Sequence, residues 1–220
     1  MRCHKSNPRG RGALAVVVAT AGLTLSAVHA DEPLWSGGDG KLEVTSTTFT
    51  DGGAFPPSMI YNAVTNGVNV CTADGAMGGD QSPQLAWTHV PDHTRSFVVV
   101  LYDTTASFTH WGMYNIARDV RALPKNAGTT DSRFGTQISN DFGDLSYDGP
   151  CPPAGVAPDA HHYVFTVYAL DTELTVEGAP PNFPAGAEAL YHSLIRAGRD
   201  GHILASGSIA SFYSSTPPAN

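Results

Sequence analysis

The chain has 220 residues, 41% hydrophobic and 15% charged, with 23 glycines and 16 prolines. That is enough apolar material for one sizeable core, cut by many turn points, so a single domain is expected. The formal net charge of −8 argues against a nucleic-acid partner, which calls for a basic surface.

At the start, Arg2, Lys5, Arg9 and Arg11 precede an uncharged apolar run from Ala13 to Ala27, followed by Val28-His29-Ala30. Residues 1 to 30 are read as a cleaved export signal, because the run is short for a bilayer span of about 20 residues. No later segment is apolar enough to span. Without residues 1 to 30 the chain keeps 8 basic residues against 20 acidic ones, a net of −12, which argues against polybasic attraction to anionic membranes. The expected location is secreted or periplasmic. Cys3 leaves with the signal, and Cys71 and Cys151 remain as an even pair in an oxidising compartment, where they are expected to be joined. Such a bridge stabilises by roughly 4 to 5 kcal/mol in the chain-entropy account. A metal site is the weaker reading, since neither cysteine has a Cys-x-x-Cys partner.

Residues 31 to 40 are polar and glycine-rich, a flexible entry to a domain over 41 to 213. Lys41 to Phe49 alternates apolar with Thr or Ser residues as a half-buried strand does. Residues 50 to 84 are rich in Gly and Pro, with short strands expected near Met59 to Tyr61 and Val68 to Val70. Ser96 to Tyr102 and Trp111 to Ile116 are rich in β-branched and aromatic residues on both faces, which fits strands covered on both sides. If they are antiparallel neighbours, the loop Asp103 to His110 brings its two ends together. Tyr163 to Leu170 is a third such strand, and placed antiparallel to Ser96 to Tyr102 it carries His161 and His162 to the same end of the sheet. Residues 184 to 197 carry Ala187, Leu190, Leu194 and Ala197 at helical spacing, with Pro184 near the start and Gly198 past the end. Ile203 to Phe212 is a last strand, and 214 to 220 a flexible tail. Many short strands with an outside helix near the C-terminus give a mainly β sandwich.

Asp103, His110, His161, His162 and Tyr163 form a candidate constellation drawn from three segments. One reading is an anion site, in which imidazoles, a phenol and loop N–H groups donate to an oxyanion. Asp103 then orients a histidine or is itself protonated. A second is a metal site, although neither His-x-His nor His-Glu-x-x-His occurs and adjacent strand histidines point to opposite faces. A third is nucleophilic catalysis, but Gly-x-Ser-x-Gly is absent, "GSIAS" at 207 to 211 lacks the second glycine, and Ser82 and Ser107 suit turns. Taken singly, each residue is an ordinary strand-end or turn residue; convergence is the argument. Trp87, Trp111 and Phe142 are read as core or pocket wall.

The segments "SPQLAWTHVPDHTRSFVVVLYD" (82 to 103), "HWGMYNIARDVRALP" (110 to 124), "NDFGDLSYDGPCPP" (140 to 153) and "HHYVFTVYALD" (161 to 171) resemble the phosphatidylethanolamine-binding protein family in its bacterial Raf-kinase-inhibitor-like branch. The resemblance covers about Lys41 to Phe212. It implies a two-sheet antiparallel β fold with peripheral helices and a small preformed pocket for phosphate-type or phospholipid-headgroup anions. By resemblance the ligand-binding residues are Asp103, His110, Pro152 of the Gly149 to Pro153 turn, His161 and Tyr163. "DTTAS" keeps the family's first carboxylate at Asp103 and puts Thr105 where the second stands; His162 stands where the family has arginine. Binding without turnover and without a cofactor is expected, with a protein-interaction or inhibitor module acting on an extracellular partner as the alternative.

Overall fold

The computed structural model describes residues 40–178 and 185–217. In chain order it holds β1 (Gly40–Lys41), β2 (Glu43–Thr45), a 3₁₀ turn (Pro57–Met59), β3 (Val64–Thr65), β4 (Val68–Asn69), β5 (Leu85–Thr88), β6 (Ser96–Asp103) and β7 (Phe108–Ala117). β8 (Ala122–Leu123), β9 (Thr136–Gln137), β10 (His161–Leu170), α1 (Ala187–Arg199) and β11 (Ile203–Tyr213) complete it. The export segment, the entry segment to residue 39, Pro184 and residues 218–220 lie outside the described residues.

Alternation of apolar residues sets the two faces of the main sheet, whose order is β1-β11-β10-β6-β7-β9. Phe97, Val99 and Leu101 of β6, Trp111 and Met113 of β7, and Phe165 and Val167 of β10 point to one side. There they pack against Val44, Leu85, Trp87 and Leu123, carried by a second sheet of order β2-β5-β8. On the other side Val98 and Leu170 meet Leu190, Leu194 and Ala197 of α1. β6 is thus covered on both faces near its start, as its composition suggests, but the outer face opens towards its end, where Tyr102 is 37% exposed.

The two sheets form the expected mainly β sandwich, antiparallel except where β1 runs parallel to β11. The half-buried strand expected over Lys41 to Phe49 is divided between the sheets: β1 joins the large one and β2 pairs with β5 in the small one. The crossing at Leu42 passes so close to Gly207 that a Cβ there would lie 2.2 Å from the Leu42 carbonyl oxygen, so only glycine fits. Near Met59 the chain makes a 3₁₀ turn where a strand is expected, because Pro57 lacks an N–H and opens the turn. The helix runs past Gly198 and stops at Gly201, whose φ of +80° is the left-handed conformation that ends helices. Ser214 to Thr216, assigned to the tail from sequence, are held: Ser215 Oγ donates to the Cys71 carbonyl at 2.9 Å, and Ser214 Oγ to Asp159 at 2.8 Å.

Registers decide what meets at the end of the large sheet. Tyr163 of β10 faces Asp103 of β6 on one side and Ser211 of β11 on the other, and His161 faces Tyr213. The β6–β7 connection is shorter than the expected loop. Asp103 already pairs with Phe108, so His110 lies inside β7 rather than at its entry.

Candidate ligand-binding site

His110 is the extra residue of a β-bulge. Leu101 pairs with Trp111 and Tyr102 with Thr109, which leaves His110 between two register positions. A bulge re-aims its side chain and twists the strand locally. Here the backbone around it is caught by the 140–148 loop. Thr109 N–H donates to Asp141 Oδ2 at 2.7 Å, and Asn140 Nδ2 and Asp148 N–H both donate to the His110 carbonyl, at 3.3 and 3.2 Å. Asn140 also shapes the loop itself, since its Oδ1 accepts the N–H groups of Phe142 and Asp144 and its Nδ2 reaches Asp148 Oδ2 at 2.7 Å.

The imidazole of His110 is 3% exposed, and its Nδ1 lies 3.0 Å from the Asp148 carbonyl oxygen. A carbonyl only accepts, so Nδ1 carries the proton. Burial lowers the ring's pKa below the usual histidine value, against the pull of the Asp148 carbonyl and the Asp103 charge. Burial thus favours the neutral ring, and with the proton on Nδ1 the lone pair is on Nε2.

Asp103, 1% exposed, is surrounded by donors. Its Oδ1 accepts the N–H groups of Thr105 and Ala106 at 2.9 and 3.0 Å, which closes the turn after β6, and its Oδ2 lies 2.7 Å from Nδ1 of His161. Of the two sequence readings for this carboxylate, the one in which it orients a histidine fits the geometry. The histidine is His161, however, and not His110. Tyr163, 1% exposed, lies between them, its ring centroid 5.3 Å from that of His110 and 6.4 Å from that of His161. Burial, then the charge of Asp103 and a hydrogen bond with it, push the phenol far above the ordinary tyrosine value, so it stays protonated and donates.

The loop that carries Pro152 forms the next wall. Pro152 is buried. Cys71 and Cys151 are joined, with their Cα atoms 4.4 Å apart. Further ties hold the same loop: Gly149 N–H donates to Asp80 Oδ1 at 2.8 Å and Tyr147 Oη to the Met59 carbonyl at 2.9 Å. Gly149 is obligatory, since a Cβ there would sit 1.8 Å from the Met59 oxygen. On the far side Phe142, 42% exposed, sets its ring 5.5 Å from His110 and 4.7 Å from Phe108, and it stacks on Tyr61 at 4.9 Å. Phe142 is thus a rim residue, whereas Trp87 and Trp111, 1% and 0% exposed, are core.

Asp103, His110, His161 and Tyr163 are therefore gathered at one end of the sheet, with Pro152 on the adjoining loop. His162 is not among them. It points to the opposite face, stacks on Phe212 at 4.5 Å and lies with Nδ1 3.1 Å from Thr104 Oγ1. Its N–H donates to Thr105 Oγ1 at 2.9 Å, so the threonine in the position of the family's second carboxylate secures the turn instead. Sequence reasoning misses Asp148 and Asn140, because one acts on His110 through its main chain and the other through loop geometry. The motif "NDFGDLSYDGP" marks the segment but not those atoms.

Among the described residues no group of three or more His, Cys, Asp or Glu side chains is arranged to hold a metal ion. Three of the serines weighed as nucleophiles have other partners, and Ser107 sits in the β6–β7 turn with a φ of +55°. Ser82 Oγ accepts Gly128 N–H at 2.9 Å, Ser208 Oγ meets Thr166 Oγ1 at 2.9 Å, and Ser211 Oγ donates to the Gly53 carbonyl.

Residues 45–214 match the family model described as phosphatidylethanolamine-binding protein. The chain is 34% identical to YbhB of Escherichia coli K12 over 166 residues, covering 71% of this chain and 96% of that protein. It is 41% identical to YbcL of the same organism over 140 residues, covering 60% of this chain and 70% of that protein. The crystal structure of E. coli YbcL, described as a new member of the mammalian PEBP family, superposes with a TM-score of 0.61 at 31% identity, over 79% of this chain and 98% of that one. A phosphatidylethanolamine-binding protein homologue from Chlamydia trachomatis gives a TM-score of 0.58 at 25% identity, over 80% of this chain and 98% of that one.

Proposed function

The chain belongs to the phosphatidylethanolamine-binding protein family, and from that premise we propose that Asp103, His110, Pro152, His161 and Tyr163 bind a small oxyanion, free phosphate or a phospholipid headgroup, without turning it over. The observation that carries this reading is the paired fixing of the two imidazoles. Each is anchored through Nδ1, His161 on Asp103 and His110 on the Asp148 carbonyl, which leaves Nε2 of each as the nitrogen for a ligand, beside a phenol that stays protonated.

Anchored this way, a neutral His110 offers only a lone pair to a ligand oxygen. Contact with an oxyanion then requires a proton on Nε2 or on the anion. Binding is coupled to a proton and weakens as pH rises. Calorimetric titration with phosphate and with phosphoethanolamine at pH 5.5 and 7.5 tests this, with tighter binding expected at 5.5. Equal affinity at both values contradicts it.

We place the protein outside the cytoplasm in this proposal. Support comes from the basic start, the apolar run Ala13 to Ala27 and the bridge between Cys71 and Cys151, a bond typical of exported proteins. Intact-mass measurement of the protein from periplasm or medium should give a chain starting at Asp31. A protein-interaction role is the second reading. Phe212, 60% exposed, stacks on His162 on the outer sheet face, where Tyr102 is also exposed, and exposed aromatics are frequent anchors at interfaces. A partner lost on Phe212→Ser but kept on His161→Ala favours that role.

A further inference from the structure

Beside His110 three aromatic rings form a row. Phe108 of β7 meets Phe142 edge-on with ring centroids 4.7 Å apart, and Phe142 stacks on Tyr61 at 4.9 Å. Phe142 is 42% exposed, and Tyr61 and Phe108 are half-buried, so the row is open to solvent. Carboxylates frame it. Asp141 and Asp144 stand exposed on either side of Phe142 in the chain, and Asp141 is held at the Phe108 end, where it accepts the Thr109 N–H at 2.7 Å. At the other end burial, then the charges of Asp148, Asp144 and Asp80, raise the Tyr61 phenol. Among the described residues none of these four carboxylates pairs with a lysine or an arginine.

Most of the basic side chains lie elsewhere. Arg95 stands just before β6, Arg118 and Arg121 follow β7, and Arg196 and Arg199 are in the last turn of α1, ahead of β11. Strand registers gather these positions at the opposite end of the large sheet: Ser96 pairs with Ala117 and with Leu170, and Leu170 pairs with Ile203. Eight residues in β6 and ten in β7, at about 3.3 Å each, put roughly 25–30 Å between the two ends. Charges are screened over about 8 Å at physiological ionic strength, so these arginines do not offset the carboxylates around Phe142.

An exposed aromatic row framed by negative charge complements a cation that can stack. The guanidinium of arginine is planar, lies over ring faces and forks onto a carboxylate. Negative charge at both ends of the row suits more than one such group, and an extended segment presents residues i and i+2 on one side about 6.7 Å apart, comparable with the row. We propose that Phe108, Phe142 and Tyr61 form a docking surface for an extended, arginine-bearing segment of a partner protein, with Asp80, Asp141, Asp144 and Asp148 as its electrostatic frame. The surface adjoins the oxyanion group but does not rest on it, and failure of the oxyanion reading would leave it in place.

The test is fluorescence anisotropy of the full chain at pH 7.5 with a labelled Arg-Ser-Arg-Ser-Arg peptide, compared with its lysine and glutamate counterparts. The arginine peptide should bind saturably, the lysine peptide several-fold more weakly and the glutamate peptide not at all, with affinity falling as salt is added. Phe142→Ser, which changes no charge, should weaken arginine-peptide binding roughly tenfold, and Asp144→Asn roughly threefold to fivefold. Asp119→Asn, the same charge change at the far end of the sheet, and His161→Ala should leave it unchanged. Far-UV circular dichroism matching the parent shows that each variant is folded. No binding of the arginine peptide overturns the inference. So does binding that survives both rim substitutions or falls as much with Asp119→Asn, since either marks a general attraction of an acidic protein for cations. Loss on His161→Ala puts the peptide in the oxyanion group, and displacement by equimolar tetramethylammonium assigns the row to a small cation; both also overturn the inference.

Discussion

At the scale of single residues, the account turns on how two rings are oriented. Asp103 accepts Nδ1–H of His161 and two turn N–H groups, so Asp103→Asn keeps an oxygen for the turn but sets an amide against the ring. The His161 ring then loses its anchor. Stability should fall by about 1–3 kcal/mol, and phosphate affinity should drop at least roughly tenfold; denaturant titration and calorimetry read the two effects separately. Beside His110 lies a group of carboxylates. Asp80 and Asp148 are raised from 3.8 to about 6, chiefly by burial, with Asp144 adding repulsion to each; Tyr61 faces the same three. The native state thus keeps two protons up to about pH 6 that the unfolded chain releases near pH 4. It binds more protons in that window, so this contribution to stability is full below about pH 4 and is lost as pH rises through 6. Asp148→Asn preserves an acceptor for Asn140 and carries no charge. It should raise the denaturation midpoint more at pH 7.5 than at 4.5, and an equal change at both would count against the assignment. Little of this is legible in sequence. The residues Asp103, His110, His161 and Tyr163 are, because they are titratable side chains at or near the ends of long apolar strands. That Asp148 acts through its carbonyl is not, because any residue presents the same carbonyl.

At the scale of elements, β6, β7 and β10 are legible because alternation and β-branched content mark long strands whatever their neighbours. Their antiparallel order brings Tyr163 opposite Asp103, as the sequence reading requires. The bulge at His110 is not legible, since one unpaired residue leaves the composition of β7 unchanged and only the register reveals it. The same limit applies to Lys41 to Phe49, where alternation continues while the chain changes sheets. The loop from Gly149 to Pro153 is an element without regular structure, and its shape comes from ties to 59–80. The disulfide closes a sequence separation of 80 residues. The Cys71→Ser, Cys151→Ser double variant should therefore lose about 2–5 kcal/mol in denaturant titration. Because Asp80 and Tyr147 still hold the loop, the variant should retain phosphate binding with a reduced affinity. Unchanged stability would mean that these noncovalent ties suffice.

At the scale of the whole molecule, one large sheet separates two cores. One, between the sheets, carries the inward side chains that end in the binding group, and the other lies under α1. This division makes the cores testable apart. Leu194, 3% exposed beneath α1, serves only the second, so Leu194→Ala should cost about 2–5 kcal/mol of stability and leave phosphate affinity unchanged. A large loss of affinity would show that the helix-side core shapes the site. The mainly β architecture and the family are both legible in the sequence, because turn residues, strand runs and motifs recur in order across residues 45–214. The central claim is that Asp103, His110, His161 and Tyr163 gather around an oxyanion held through the two imidazole Nε2 atoms, with the Tyr163 hydroxyl beside it. The most direct measurement is a crystal structure of the protein soaked in phosphate at a concentration that saturates calorimetry. The expected result is tetrahedral density with oxygens about 2.7–3.2 Å from Nε2 of His110 or His161 and from the Tyr163 hydroxyl. Phosphate density only at other surfaces, with these side chains unchanged and uncontacted, would contradict the account.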